Sequence, residues 1–91
     1  MKIIIPSKVD KYLVKQGKGD PRGIDRVTQF IEHFLATAEN PTSLPNCKKM
    51  QGTDNNWRWR VGDYRIIAEV KNKELVIQII KIAHRQEVYD Q

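Results

Sequence analysis

The sequence predicts an α+β fold, an N-terminal antiparallel helix pair packed on a small, mainly antiparallel β-sheet. Two observations carry the prediction. Up to residue 38 the apolar residues recur at helical spacing, and from residue 57 the period drops to two. Helices first and antiparallel strands afterwards, with no repeat and no long linker, define a class in which helices cover one side of a sheet. With 91 residues there is interior for one core, so residues 1–91 are expected to form a single domain.

Each element has a local reason. Ile3-Ile4-Ile5 is a short β-like run stopped by Pro6. Ser7 is a candidate N-cap for a first helix, with Val9, Tyr12, Leu13 and Gln16 on one stripe. The Gly- and Pro-containing stretch from Gly17 to Gly23 is turn chemistry and should end it. A second helix is predicted over Ile24–Ala38, its apolar face made by Ile24, Val27, Ile31, Phe34, Leu35 and Ala38, with Asn40-Pro41 as the stop. Between Thr42 and Asn56 the pattern is open: Lys48, Lys49 and Met50 form a short extra strand or cross the surface.

The strands follow. Trp57, Trp59 and Val61 alternate with Arg58 and Arg60, and Gly62-Asp63 is short enough for a two-residue turn. Tyr64–Val70 is the returning strand, and Asn72-Lys73 can turn it back. Glu74–Ala83 is apolar on both faces and is expected inside the sheet.

Composition excludes several classes. No apolar run reaches the roughly 20 residues of a membrane span or the roughly 7–15 of a secretory signal core. One cysteine makes no internal disulfide, and with two histidines it builds no zinc site, so a reducing compartment, no metal and no cofactor are expected. Lys+Arg is 16 against 11 Asp+Glu, a net charge of +5 that favours an anionic partner. Four of the six arginines, Arg58, Arg60, Arg65 and Arg85, lie from residue 58 onward. Arginine is the side chain suited to planar, bidentate phosphate recognition.

A two-residue turn at Gly62-Asp63 sets Val61 opposite Tyr64 and Arg60 opposite Arg65. One face then carries Trp57, Trp59, Val61, Tyr64, Ile66, Ala68 and Val70 and packs on the helices. The other carries Arg58, Arg60, Arg65, Ile67 and Glu69. Opposed arginines repel across a strand pair, and an anion between them relieves the repulsion. Alternatively the guanidiniums splay into water with their stems covering the sheet. In the same register the even positions of the third strand share the arginine face, which would bring His84 and Arg85 to its end.

RNA phosphodiester cleavage needs a base for the 2′-hydroxyl, cations around the pentacovalent phosphorus and an acid for the 5′-oxygen. Arginines can supply the second by preorganised electrostatics. Histidine suits the first or third, and a tyrosine beside cations can donate a proton or stack on a base. Arginine itself is no base.

The block from Trp57 to Ile67, a further strand, and then His84-Arg85-Gln86-Glu87-Val88-Tyr89 together resemble the RelE/ParE superfamily of toxins, on the RelE side. About half the chain carries the resemblance closely, and the helix pair agrees with the family fold. The resemblance implies a cytoplasmic, ribosome-dependent endoribonuclease that cuts mRNA in the decoding site. It also implies an antitoxin partner, RelB-like, whose acidic segment covers the cationic face. By position it makes Arg58 and Arg60 the basic residues before the turn, Arg65 the arginine after the turn tyrosine, Arg85 the arginine beyond the last strand, and Tyr89 the near-terminal tyrosine. Some RelE members have lysines where this chain has Arg58 and Arg60, and a lysine can release a proton where an arginine does not. His84 is therefore the expected base.

The catalytic set expected is Arg60, Arg65, His84, Arg85 and Tyr89, with Arg58, Lys48 and Lys49 binding RNA or the ribosome. Two competing functions share the fold: a ParE-like, non-enzymatic inhibitor of DNA gyrase, and an inactive toxin-fold binding protein. Other residues read as structural. His33 falls on the polar side of the second helix, Cys47 is a small half-buried residue, and Trp57, Trp59 and Tyr64 are packing. Glu87 is expected to pair with an arginine.

Overall fold

The computed structural model describes residues 1–88, and of Val88 the backbone alone. Five strands form one sheet: β1 (Lys2–Ile4), β2 (Cys47–Lys49), β3 (Asn56–Val61), β4 (Tyr64–Lys71) and β5 (Val76–His84), in the spatial order β1-β5-β4-β3-β2. β1 runs parallel to β5, and every other pair is antiparallel. Helices α1 (Ser7–Gly19) and α2 (Pro21–Phe30) pack on one face, α1 against β5 and α2 against β3, and a short α3 (Arg85–Val88) follows β5. The expected α+β architecture is therefore present, with the third predicted strand inside the sheet between β1 and β4. No helix among the described residues is long and apolar enough to cross a membrane.

The core lies between the helices and the sheet. Val9, Ile24, Val27, Ile31 and Leu35 from the helical side meet Trp59, Val61, Tyr64, Ile66, Ala68, Val70, Ile77, Ile79 and Ile82 from the strands. The apolar face predicted for the hairpin is thus the face that packs against the helices.

The helix boundaries differ from expectation, for local reasons. Pro6 caps α1 and its carbonyl accepts the Val9 and Asp10 amides, so Ser7 is the first helical residue and its side chain caps nothing. The helix continues through Gly17 and Gly19, and one residue, Asp20, separates it from α2. Asp20 caps α2 by accepting the Gly23 amide on Oδ1 at 3.1 Å, with Pro21 at the first helical position, where its missing N–H costs no bond. A Cβ at Gly23 would lie 2.1 Å from Asp20 Oδ2, so glycine there makes room for the cap.

After α2 the chain runs through a π-helical turn over Ile31–Leu35, closed by the Ala36 amide on the Ile31 carbonyl at 2.9 Å. Under-winding the helix swings Phe34 away from the core while Leu35 stays in it. Phe34, predicted on the buried face, is 58% exposed and stacks on Phe30. The ambiguous segment contains a 3₁₀ turn, Pro41–Ser43, and β2; Trp59 donates its indole proton to the Pro41 carbonyl at 3.0 Å and fastens this segment to the core.

The hairpin has the register that its turn length predicts: Val61 pairs with Tyr64 and Arg60 with Arg65. Gly62 has φ +60 and Asp63 does not have positive φ, the signature of a II′ turn. The next connection is longer than expected. Asn72 to Leu75 form the turn, Leu75 at φ +55, and β5 begins at Val76 instead of Glu74.

One irregularity changes the faces of β5. Ile67 pairs with Lys81 but Ala68 pairs with Ile79, so Ile80 is an extra residue. Such a bulge inverts which side chains share a face beyond it. On the β1 side of the bulge the odd residues Ile77 and Ile79 face the helices; beyond it the even residues Ile82 and His84 do. The expectation that even positions keep to the arginine face as far as His84 is overturned.

Candidate functional site

Two cross-strand rows form the arginine face. In the first, Lys48 on β2 stands opposite Arg58 on β3, Arg58 opposite Ile67 on β4, and Ile67 opposite Lys81 on β5. In the second, nearer the hairpin turn, Arg60 stands opposite Arg65 and Arg65 opposite Ala83. Directly opposed residues share a face, so Lys48, Arg58, Lys81, Arg60 and Arg65 lie together on the side away from the helices. Neither row contains a carboxylate. Ile67 and Ala83 are buried on this face and stand outside the helix-side core.

The arginines differ in environment. Arg60 is exposed, Arg58 is half-buried and Arg65 is 7% exposed. An Arg65 guanidinium nitrogen donates to the Tyr64 carbonyl at 3.2 Å. A guanidinium stays charged when buried, so Arg65 holds a fixed positive charge beside Arg60. Like charges directly opposite one another weaken a strand pair, and an anion between them would relieve the repulsion.

Lys49 pairs with Trp57 and so falls on the opposite face from Lys48; of the two adjacent lysines, one joins the cluster. Lys81 belongs to the cluster and was missed, because only the bulge at Ile80 turns it to this side.

His84 lies elsewhere. It pairs with Tyr64 on the helix side, and the two rings meet edge to face with centroids 5.3 Å apart. Its Nδ1 accepts the Gln86 amide at 3.3 Å. The bulge sets His84 on the opposite face from Arg60 and Arg65, and not among them as expected.

The end of β5 is tied down by two contacts. The Tyr12 hydroxyl accepts the His84 amide at 3.1 Å and lies 3.4 Å from both Glu87 carboxylate oxygens. Burial, and after it the Glu87 charge, push the Tyr12 phenol up to about 12. Glu87, expected to pair with an arginine, thus has its described contact with Tyr12. Arg85 sits at the hairpin turn: its amide donates to the Asp63 carbonyl at 2.6 Å and its Nε lies 3.7 Å from Asp63 Oδ1. Both side chains are exposed, so that ion pair contributes little and does not commit the guanidinium. Tyr89 lies outside the described residues.

The structural readings hold for their residues. His33 is exposed, Trp59 and Tyr64 are core and Trp57 packs against it. Cys47 is half-buried, and burial raises its thiol to about 11, which keeps it protonated and unreactive at neutral pH.

Comparison with known proteins adds to this geometry. Residues 7–89 match the family model described as the ParE toxin of type II toxin-antitoxin systems, parDE. Toxin RelE3 of Methanocaldococcus jannaschii is 31% identical over 84 residues, covering 88% of this chain and 90% of that protein. Among solved structures, the archaeal RelE-RelB complex from Pyrococcus horikoshii superposes with a TM-score of 0.71 at 30% identity, over 92% of this chain and 93% of its own. The RelB-RelE antitoxin-toxin complex from Methanococcus jannaschii superposes at 0.62 with 26% identity, over 99% and 96%. The RelBE2 toxin-antitoxin complex of Mycobacterium tuberculosis shares the fold at 0.72 with 19% identity, over 92% and 96%.

Proposed function

This chain belongs to the RelE/ParE family of type II toxin–antitoxin toxins, and on that premise we propose that it is a ribosome-dependent mRNA endonuclease restrained by a cognate antitoxin. The observation that carries the proposal is the arginine face: Lys48, Arg58, Lys81, Arg60 and Arg65 gathered on one side of the sheet, with Glu69 in the next row beyond them.

In the proposed reaction the 2′-oxygen of the RNA forms a bond to the adjacent phosphorus and the bond to the 5′-oxygen breaks. The products are a 2′,3′-cyclic phosphate and a 5′-hydroxyl. One proton leaves the 2′-hydroxyl and one reaches the 5′-oxygen. Arg60 and Arg65 stabilise the charge that gathers on the phosphoryl oxygens, and as fixed cations they need no rearrangement to do so. Arg58 and Lys48 hold neighbouring phosphates. Arginine cannot take the 2′-hydroxyl proton; Lys81, on the same face, adds a further cation beside the phosphates.

The antitoxin reading is supported by the solved relatives, which are complexes of RelE with RelB. An acidic segment laid on the arginine face would bind faster and tighter at low salt. The match to a ParE toxin model raises a second reading, gyrase inhibition without cleavage; the RelE-named relatives and the cationic cluster favour the first.

The test is mRNA cleavage by the purified protein on programmed ribosomes, with a ribosome-free control. Cuts confined to ribosome-bound message and ending in 2′,3′-cyclic phosphate are expected. Intact message together with blocked DNA supercoiling would establish the gyrase reading instead.

A further inference from the structure

A groove of about 500 Å³ lies between α2 and the hairpin end of the sheet, bordered by Arg22, Arg26, Phe30, Phe34, Asn46 and Arg60. One wall is aromatic. Phe30 and Phe34 stack with centroids 5.8 Å apart and planes 16° from parallel, and the π-helical turn leaves Phe34 58% exposed. Under-wound turns of this type are frequent at functional sites. The remaining wall is cationic: three arginines border the groove and one carboxylate, Asp25, stands among them. Arg26 reaches across to the hairpin, since a Cβ on Gly62 would meet its guanidinium at 3.5 Å.

Arg60, at the hairpin end of the arginine face, also borders the groove, so the two surfaces meet at the edge of the hairpin. A flat, exposed ring beside guanidiniums matches the requirements of an unpaired nucleotide, whose base stacks and whose phosphates pair with arginine. An acidic peptide would pair with the same guanidiniums, but carboxylates and aliphatic side chains offer no planar face to stack on the Phe34 ring, whereas a base does.

We propose that this groove is a nucleobase-and-phosphate subsite for the RNA substrate that crosses the arginine face, with Phe34 stacking on one base and Arg22 and Arg26 facing the flanking phosphates. It rests on the nuclease reading, and it extends the RNA contact beyond the cleavage site around the hairpin turn.

The probe is a fluorescein-labelled, 2′-O-methylated RNA hexanucleotide, which cannot be cut, titrated by anisotropy at low salt. Phe34→Ala, at an exposed position, should weaken binding about tenfold, and Phe34→Trp should retain it. An abasic version of the same strand should bind the wild type and Phe34→Ala alike. Arg22→Ala and Arg26→Ala should each reduce the salt slope by about 0.7, the value for one phosphate contact on a single strand. Unchanged affinity in Phe34→Ala, or no binding of the hexanucleotide by the wild type, overturns the subsite. So does a glutamate-rich, leucine-containing peptide whose affinity depends on Phe34 while the RNA's does not; the groove would then dock protein. Ribosomal cleavage by the same preparations separates the two proposals. A wild type that cuts with Phe34-independent RNA binding loses the subsite and keeps the nuclease; one that binds through Phe34 without cutting loses the nuclease.

Discussion

The Tyr64 hydroxyl donates to Asp20 Oδ2 at 2.9 Å, joining the single residue between the two helices to the first residue after the hairpin turn, 44 positions later. The other oxygen of the same carboxylate caps α2. One side chain thus sets where the helix pair stands on the sheet and how closely α2 approaches the arginine-bearing hairpin.

Removing that carboxylate should loosen both attachments. Asp20→Ala is expected to destabilise the chain by about 1–3 kcal/mol, the sum of a lost cap and a lost buried hydrogen bond. Gly23→Ala should also destabilise, although alanine is the better helix former by about 1 kcal/mol, because its Cβ would occupy the place of Oδ2. Urea unfolding of both variants checks this; a more stable Gly23→Ala contradicts it.

Alkaline pH should act through Tyr12. Burial, reinforced by the Glu87 charge, lifts its phenol to about 12, above its ordinary 10.0. A group that holds its proton more tightly when folded stabilises fully below its unfolded value, and that stabilisation is lost as the pH rises through the folded one. Wild-type stability should therefore decline between about pH 10 and 12 more steeply than that of Tyr12→Phe. Equal slopes for the two proteins would dismiss the linkage.

Arg60→Ala should separate activity from stability. The residue is exposed and opposes Arg65, so its removal eases a like-charge contact and Tm should stay level or rise slightly. Cleavage on ribosomes should fall by roughly 10²–10³-fold, as for loss of one preorganised charge-stabilising group. A variant that is stable and fully active would remove Arg60 from the site.

Lys81 and His84 should part company in cleavage assays. Under the proposed reaction Lys81→Ala removes a cation from the arginine face and should slow cleavage on ribosomes about tenfold or more, while His84→Gln, on the helix side, should alter stability more than cleavage. The reverse pattern in single-turnover rates would return the histidine to the site.

Leu75 occupies the left-handed region at φ +55 while 63% exposed. That conformation costs a residue with a Cβ roughly 1–2 kcal/mol, and asparagine tolerates it better. Leu75→Asn should stabilise the chain by about 0.5–1 kcal/mol in thermal or urea unfolding. Destabilisation would mean that the exposed side chain packs more than its surface suggests.

How far these arrangements could be read in advance depended on whether they are local. The alternation from Trp57 to Val61 and a turn of two residues were enough for the Arg60–Arg65 pairing, because turn length sets register and register sets faces. The apolar stripes of the first 38 residues identified two helices for the same reason: helical period is a property of neighbouring residues. The placement of His84 and Lys81 was not local. Val76 to Ala83 is apolar enough on both faces to satisfy either register, so nothing in the string marks Ile80 as the residue to be bulged out. The exposure of Phe34 and the reach from Asp20 to Tyr64 likewise depend on how α2 settles on β3.

The sequence by itself determined the α+β class, the order of its elements, the hairpin register and the concentration of arginines on one sheet face, since period, turn chemistry and charge act over a few residues. Only the tertiary structure decided which side of β5 joins that face, which residue bridges the helices to the hairpin, and that Phe34 turns outward. Those outcomes follow from competition among distant groups for one interior, where a single inserted residue exchanges a histidine for a lysine beside the arginines.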